Sequence, residues 1–196
     1  MINHPIPSVT EKFQFRAIGL IKGIYIPFDI KKFYRGKIID CDSCEVDTVV
    51  LGKAISIIKK YIDIDKPHLW VVYPRTNGFN NLHLQISGVW EPNALQKQEI
   101  IKLEKQNTNL DKYIDELNII DNYFSVRGEL IFTNTRKNQF IIKILQKKNS
   151  SDSSLFQLKI YIHGKISQDY LNRFLDVSVL RKDSKLLLQD FELIDS

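Results

Sequence analysis

Hydrophobic and polar positions in the first 91 residues follow the spacing of β-strands, with one interruption. Strand-favouring residues fill a long first segment, which ends at Pro27 because proline has no backbone N–H to donate to a neighbouring strand. Between Gly52 and Ile62 the apolar positions, Ala54 and Ile58 among them, change to helical spacing. The pattern therefore predicts three strands, a helix and two further strands. The predicted strands are Phe13–Tyr25, Phe33–Asp40, Glu45–Leu51, Leu69–Tyr73 and Leu82–Ile86.

Residues 92–121 have a different pattern, which predicts a helical connector. Pro92 suits the first turn of a helix, and a break is expected near residues 107–109. One apolar stripe runs through the segment and comprises Ile100, Leu103, Leu110, Ile114 and Leu117. We expect this connector to pack against both of its neighbours.

Residues 122–196 return to strand patterns separated by polar turns. Short strands at regular spacing are typical of a small barrel or sandwich. The predicted strands are Phe124–Thr133, Gln139–Gln146, Phe156–Gly164, Phe174–Leu180 and Lys185–Leu193.

Two short echoes suggest that the first and last blocks repeat one unit. Phe15-x-x-x-Gly19 is echoed by Phe124-x-x-x-Gly128, and Leu84-x-Ile86-x-Gly88 is echoed by Ile160-x-Ile162-x-Gly164. The strand order resembles the OB-fold, a five-stranded barrel that commonly carries a helix between its third and fourth strands. The resemblance implies a mainly β (α+β) protein of two small OB-like β-barrels joined by a helical connector. Its segments are 1–91, 92–121 and 122–196; the alternative is one mixed α/β domain with coincidental echoes.

A second resemblance comes from one short run. Residues 67–76, Pro-His-Leu-Trp-Val-Val-Tyr-Pro-Arg-Thr, resemble a segment shared by an uncharacterised family of cyanobacterial proteins. That resemblance implies a cytoplasmic protein and provides no known active site to transfer.

Composition and charge narrow the class of protein. The chain is 43% hydrophobic, which is too apolar for a disordered protein, and it has no apolar run long enough to span a membrane. The N-terminus lacks the pattern of a signal peptide, so we expect a cytoplasmic location. The 28 Lys and Arg residues against 23 Asp and Glu residues give a net charge of +5, which permits an acidic partner without requiring one.

Motifs for catalysis are not visible in the sequence. There is no Gly-x-Ser-x-Gly elbow, no P-loop and no dinucleotide fingerprint. The four histidines, His4, His68, His83 and His163, lack metallohydrolase spacing and are better explained as structural or surface residues. We therefore expect a non-enzymatic protein without a cofactor.

Cys41-x-x-Cys44 is the sharpest short motif. Two thiolates at this spacing can share one zinc ion, but a structural zinc site needs four ligands and no second cysteine pair exists. Four acidic residues surround the pair and disfavour thiolates, which argues against a redox dithiol. They are Asp40, Asp42, Glu45 and Asp47. Cys41 and Cys44 are thus weak metal candidates, and a plain turn between two strands is the default.

Cations interleaved with rings are more suggestive. Single-strand binders need cations to neutralise phosphates and aromatic faces on which bases stack. The candidate nucleic-acid-binding residues are Arg16, Lys22, Lys31, Lys32, Tyr34, Arg35, Lys37 and Arg75. The alternative is a solvated face whose lysines prevent edge-to-edge pairing of strands. Six aromatic residues in predicted strands form either a stacking platform or, more commonly, core: Phe15, Trp70, Trp90, Phe124, Phe132 and Phe174.

The sequence thus predicts a non-enzymatic protein that binds single-stranded RNA or DNA on a basic and aromatic barrel face. The alternative is an assembly or regulatory factor that binds another protein through exposed strand edges and the acidic middle segment. That segment, residues 92–121, has 4 basic and 6 acidic side chains. OB-like folds serve many unrelated functions, so the fold alone does not decide between them.

Overall fold

The computed structural model describes residues 3–90, 110–149 and 152–194. The first of these ranges contains five strands, one α-helix and a short 3-10 helix at Ile30–Lys32. The elements are β1 (Arg16–Pro27), β2 (Arg35–Asp40), β3 (Glu45–Val50), α1 (Gly52–Tyr61), β4 (His68–Thr76) and β5 (Leu82–Trp90).

The five strands close into a barrel. β1 pairs with both β2 and β4 in antiparallel fashion, β2 continues to β3, and β3 pairs in parallel with β5, which returns to β4. Alternate side chains point into the barrel and bury Ile21, Tyr25 and Trp70. Helix α1 adds Ala54 and Ile58 to the same core. This order, with the helix between the third and fourth strands, confirms the predicted OB-fold.

A short helix precedes the strands of a second barrel. β6 pairs with β7 and β9, β7 pairs with β8, β9 pairs with β10, and a single parallel bridge between Leu187 and His163 joins β10 to β8. The strand order matches that of the first barrel, with a 3-10 helix at Gln168–Tyr170 in place of α1. The elements are α2 (Leu110–Glu116), β6 (Tyr123–Asn134), β7 (Gln139–Asn149), β8 (Asp152–His163), β9 (Phe174–Lys182) and β10 (Lys185–Leu193).

The barrels are joined strand to strand. The start of β1 pairs with β6, with Ala17 opposite Val126 and Gly19 opposite Phe124. Glycine is required at position 19, because a Cβ there would lie 2.1 Å from the Phe124 ring. Buried residues of both barrels consequently form one hydrophobic cluster.

A buried ion pair makes a second junction between the barrels. Asp40, at the end of β2, accepts a hydrogen bond from the Arg181 guanidinium of β9, and both side chains are almost fully buried. Arg181 also donates from Nε to Asn122 Oδ1 at 2.8 Å. The turn after β2 is thereby held against the second barrel.

Helix α2 packs on the outside of the first barrel. Its apolar residues Leu110 and Ile114 contact a small cluster that includes Leu20 of β1 and Leu69 of β4. The predicted start of the connector at Pro92, its break and the apolar positions Ile100 and Leu103 lie outside the described residues. Among the helices that the structure describes, none is long and apolar enough to cross a membrane.

Two predicted strand starts differ from those in the structure. β1 begins at Arg16 rather than Phe13, because the carbonyls of Lys12 and Gln14 accept hydrogen bonds from the Arg127 guanidinium instead of pairing in a sheet. Phe33 and Tyr34 precede β2 rather than belonging to it.

The echoes between the halves are also corrected. Gly128 matches Gly23 rather than Gly19, since a Cβ at either position would press on a backbone carbonyl of the next strand. The second echo compares the fifth strand of one barrel with the third strand of the other, so it reflects no structural repeat.

Candidate nucleic-acid interface

The loop between β1 and β2 is built on one buried ring. Asp29 begins the 3-10 helix by accepting a hydrogen bond from the Lys31 N–H at 2.8 Å. Phe33 then turns inward, where its ring packs 5.6 Å from that of Tyr25. The Tyr25 hydroxyl donates to the Phe33 carbonyl at 2.7 Å, and burial raises the pKa of Tyr25 to about 12. The loop is therefore anchored from inside the barrel.

With Phe33 anchored, the residues around it are exposed. Phe28, Ile30 and Tyr34 are 64%, 86% and 45% exposed. Three exposed cations lie beside them in the chain, and none of the three forms an ion pair with a described residue. We call this surface the loop patch; it comprises Phe28, Ile30, Lys31, Lys32, Tyr34 and Arg35. Phe28 and Ile30 did not enter the sequence prediction, although their position between Pro27 and the lysines is a signal for it.

Two predicted cations outside the loop patch already have carboxylate partners. Lys37, on the outer face of β2, pairs with Glu45 of β3. Lys22, on the outer face of β1, pairs with Asp111 of α2. The Lys22 pair helps to attach the described part of the acidic segment to the first barrel.

Arg16 lies at the junction of the barrels. Its guanidinium donates to the Pro7 carbonyl at 2.8 Å and to the Ser125 hydroxyl at 2.7 Å. Its Nε is buried and has no hydrogen-bond partner among the described residues. Burial lowers the pKa of Arg16, but an arginine stays charged at neutral pH.

Arg75 is partly buried near the end of β4. Its guanidinium carbon lies 5.9 Å from the centroid of the Tyr73 ring, and it donates to the Pro74 carbonyl at 2.9 Å. Burial lowers the pKa of Arg75, and no described carboxylate lies within ion-pair distance of it. Burial, with a smaller contribution from Arg75, also lowers the pKa of the opposing His83, which favours a neutral imidazole.

The outer face of the first barrel connects the loop patch to this region. Arg35 of β2 is opposite Val49 of β3, Val49 is opposite Gln85 of β5, and Gln85 is opposite Tyr73 of β4. Directly opposed residues on neighbouring strands share a face, so these four side chains form one row across the barrel. The eight predicted residues thus divide among the loop patch with Lys37, the α2 contact of Lys22, and the inter-barrel region of Arg16 and Arg75.

Cys41 and Cys44 lie in the turn between β2 and β3, as predicted. The Cys44 thiol donates to Asp183 Oδ1 at 3.4 Å, which raises the pKa of that thiol. Burial and the nearby Asp121 carboxylate raise the pKa of Cys41. Among the described residues, no group of three or more His, Cys, Asp or Glu side chains is arranged to hold a metal ion.

Most of the other rings and histidines serve the fold. Trp70 and Phe124 are fully buried, as the core interpretation predicts, whereas Phe132 is exposed. His68 and His163 each make a 2.7 Å contact with a backbone carbonyl. These histidines are structural, as expected.

Two fused barrels of OB topology, with an exposed basic and aromatic loop at the β1–β2 position, define the chain as a tandem OB-fold protein. Two family models match it. The model of the PatR RNA-binding protein's N-terminal OB-fold domain matches residues 17–97, and the model of a C-terminal cyanobacterial OB-fold-like RNA-binding domain matches residues 126–195. The chain belongs to this cyanobacterial family of RNA-binding proteins with tandem OB-like domains. No curated protein matches it.

Proposed function

We propose that this protein is a non-enzymatic binder of single-stranded RNA and that the loop patch holds the strand. The observation that supports the proposal is the exposure of Phe28 and Tyr34 beside Lys31, Lys32 and Arg35. OB-folds bind oligonucleotides on the face of their second and third strands and on the adjoining loop between the first two strands, which is where the patch lies.

The chemistry of the patch favours a single strand. Exposed rings stack on base faces, and those faces are accessible only where bases are not already stacked in a duplex. Both matched families are described as RNA-binding, which supports RNA as the ligand of this protein. The protein-binding alternative and a cytoplasmic location both stay predictions.

A variant that removes the three positive charges of the loop patch tests the role of these cations. We expect Lys31→Gln, Lys32→Gln and Arg35→Gln together to weaken binding of labelled oligouridine and to reduce the slope of log K against log salt by about 2, at about 0.7 per phosphate contact. Fluorescence anisotropy at several salt concentrations measures both. The matched control is Lys165→Gln, Arg173→Gln and Lys182→Gln, which removes the same charge from exposed positions on the second barrel. Equal loss in both triple variants would contradict the assignment.

A ring variant tests stacking separately. We expect Phe28→Ala to weaken binding by roughly tenfold, because stacking of one base contributes about 1–3 kcal/mol. The salt slope should stay unchanged, since no charge is lost. Leu155→Ala, at an exposed apolar position on the second barrel, is the control. Unchanged affinity in Phe28→Ala would show that this ring does not stack on a base.

A further inference from the structure

Three cavities follow one another along the junction of the barrels. The first, of about 550 Å³, lies beside the N-terminal segment and includes Arg16 and Tyr123. The second, of about 350 Å³, also includes Arg16 and extends to Arg75 of the first barrel and Gln146 of the second. The third, of about 260 Å³, includes Arg75 again and continues to Lys159 of β8. Each shared arginine therefore lines two neighbouring cavities.

We call the second and third cavities the inter-barrel groove. The second cavity is lined by Phe15, Arg16, Tyr73, Arg75, Gln85 and Gln146, with apolar neighbours from β1 and from Leu51, which precedes α1. The third is lined by Arg75, Thr76, Asn77, Gln157, Lys159 and Tyr161, with apolar neighbours from β8.

The charge of the groove is of one sign. None of its described lining residues is Asp or Glu, whereas Arg16, Arg75 and Lys159 are cations. Burial removes part of the water that surrounds a guanidinium. Without a carboxylate partner, no counter-charge offsets that loss. An anion in the groove would supply that counter-charge, and phosphate accepts hydrogen bonds from a guanidinium in bidentate geometry.

The uncharged lining suits a nucleotide strand better than a lone phosphate ion. Gln85 and Gln146 present amide donors and acceptors from opposite barrels, and Tyr73 and Phe15 add rings. Thr76 fixes the third cavity by donating to the Lys159 carbonyl at 2.9 Å and accepting from the Tyr161 N–H at 3.1 Å. The groove is therefore assembled from both barrels and offers cations, amides and rings together.

The groove also continues from the proposed binding surface. The row Arg35, Val49, Gln85 and Tyr73 begins in the loop patch and ends at two residues of the groove. The row of Arg35 contains no carboxylate, whereas in the neighbouring row Lys37 is opposite Asp47. Arg75 lies two positions beyond Tyr73 on β4, opposite His83.

We infer that one single-stranded RNA runs from the loop patch across the first barrel into the inter-barrel groove, where Arg75 and Lys159 bind its phosphates. This inference rests on the proposed function and adds the route of the strand and the use of both barrels. A long RNA then makes contacts that a short RNA bound at the loop patch lacks.

The test compares two RNA lengths by anisotropy. OB-folds bind roughly 4–16 nucleotides each, so we choose oligouridines of about 5 and about 20 nucleotides. We expect Arg75→Gln to reduce the preference for the longer RNA at least fivefold and to lower its salt slope by about 0.7. Arg75→Lys, which keeps the charge, should retain the slope. Arg173→Gln, an exposed arginine outside the groove, is the matched control.

Lys159→Gln provides a second variant at an exposed position whose replacement does not disturb the core. It should also lower the salt slope for the longer RNA. If neither variant changes the length preference while the triple variant of the loop patch weakens binding, the groove assignment is wrong and the proposed function stands. If the wild-type protein binds neither RNA, the proposed function itself fails.

Discussion

Arginine and lysine have different roles in this protein. Arg127 and Arg181 are buried at the barrel junction. Arg127 donates to the Lys12 carbonyl, and Arg181 donates to Asn122 and Asp40. Lys31 and Lys32, in contrast, are exposed. A guanidinium has five donors in a fixed plane and is weakly hydrated, so it can satisfy several acceptors inside a protein. An ammonium is strongly hydrated and stays at the surface. The lysines of the loop patch are consequently available to a ligand.

Tyr25 permits a prediction about the anchor of the loop patch. We expect Tyr25→Phe to lower the free energy of unfolding by about 1 kcal/mol, because the Phe33 carbonyl loses its buried hydrogen-bond donor. Urea denaturation measures the change. Tyr34→Phe, which removes an exposed hydroxyl, is the control and should leave stability unaltered. Equal effects of the two substitutions would contradict the anchoring role of Tyr25.

From the sequence, the grouping of the candidate cations was easier to predict in the loop patch than elsewhere. Lys31, Lys32 and Arg35 are exposed together because they are close in the chain and precede a strand whose pattern is readable. Lys22 and Arg16 were grouped with them only by strand periodicity. Their partners Asp111 and Ser125 lie 89 and 109 residues away in the chain, and no local pattern predicts such contacts.

At the scale of elements, strand order was predictable and strand pairing between the barrels was not. Turn residues and period changes mark the described strands and helix α1. The pairing of β1 with β6 depends instead on the fit of Gly19 against Phe124, two residues that appeared in the sequence as parts of a misaligned repeat. A glycine in a strand indicates close approach without identifying the approaching group.

The ion pair between β2 and β9 gives a prediction at this scale. We expect Arg181→Met to lower the free energy of unfolding by about 3–5 kcal/mol, because Asp40 would be left buried without its cation. Chemical denaturation measures it. Lys37→Met, which breaks the more exposed pair with Glu45, should cost less than about 1 kcal/mol. Similar losses in the two variants would show that the buried pair does not stabilise the junction between the barrels.

At the scale of the whole molecule, the two barrels present one surface. They share a hydrophobic core, a strand pairing and a buried ion pair, and the inter-barrel groove is formed by residues of both. Such a surface is longer than that of either barrel and suits a ligand that is itself a chain. The modest net charge of +5 matters less than where unpaired cations are placed along it.

Binding of single-stranded RNA by this protein is the property to test first. Its most direct test is fluorescence anisotropy of a labelled oligouridine titrated with the full chain at several salt concentrations, with an RNA duplex of equal length in parallel. We expect micromolar or tighter binding of the single strand, a negative slope of log K against log salt, and weaker binding of the duplex. Constant anisotropy at the lowest salt concentration, or equal affinity for the duplex, would contradict the account.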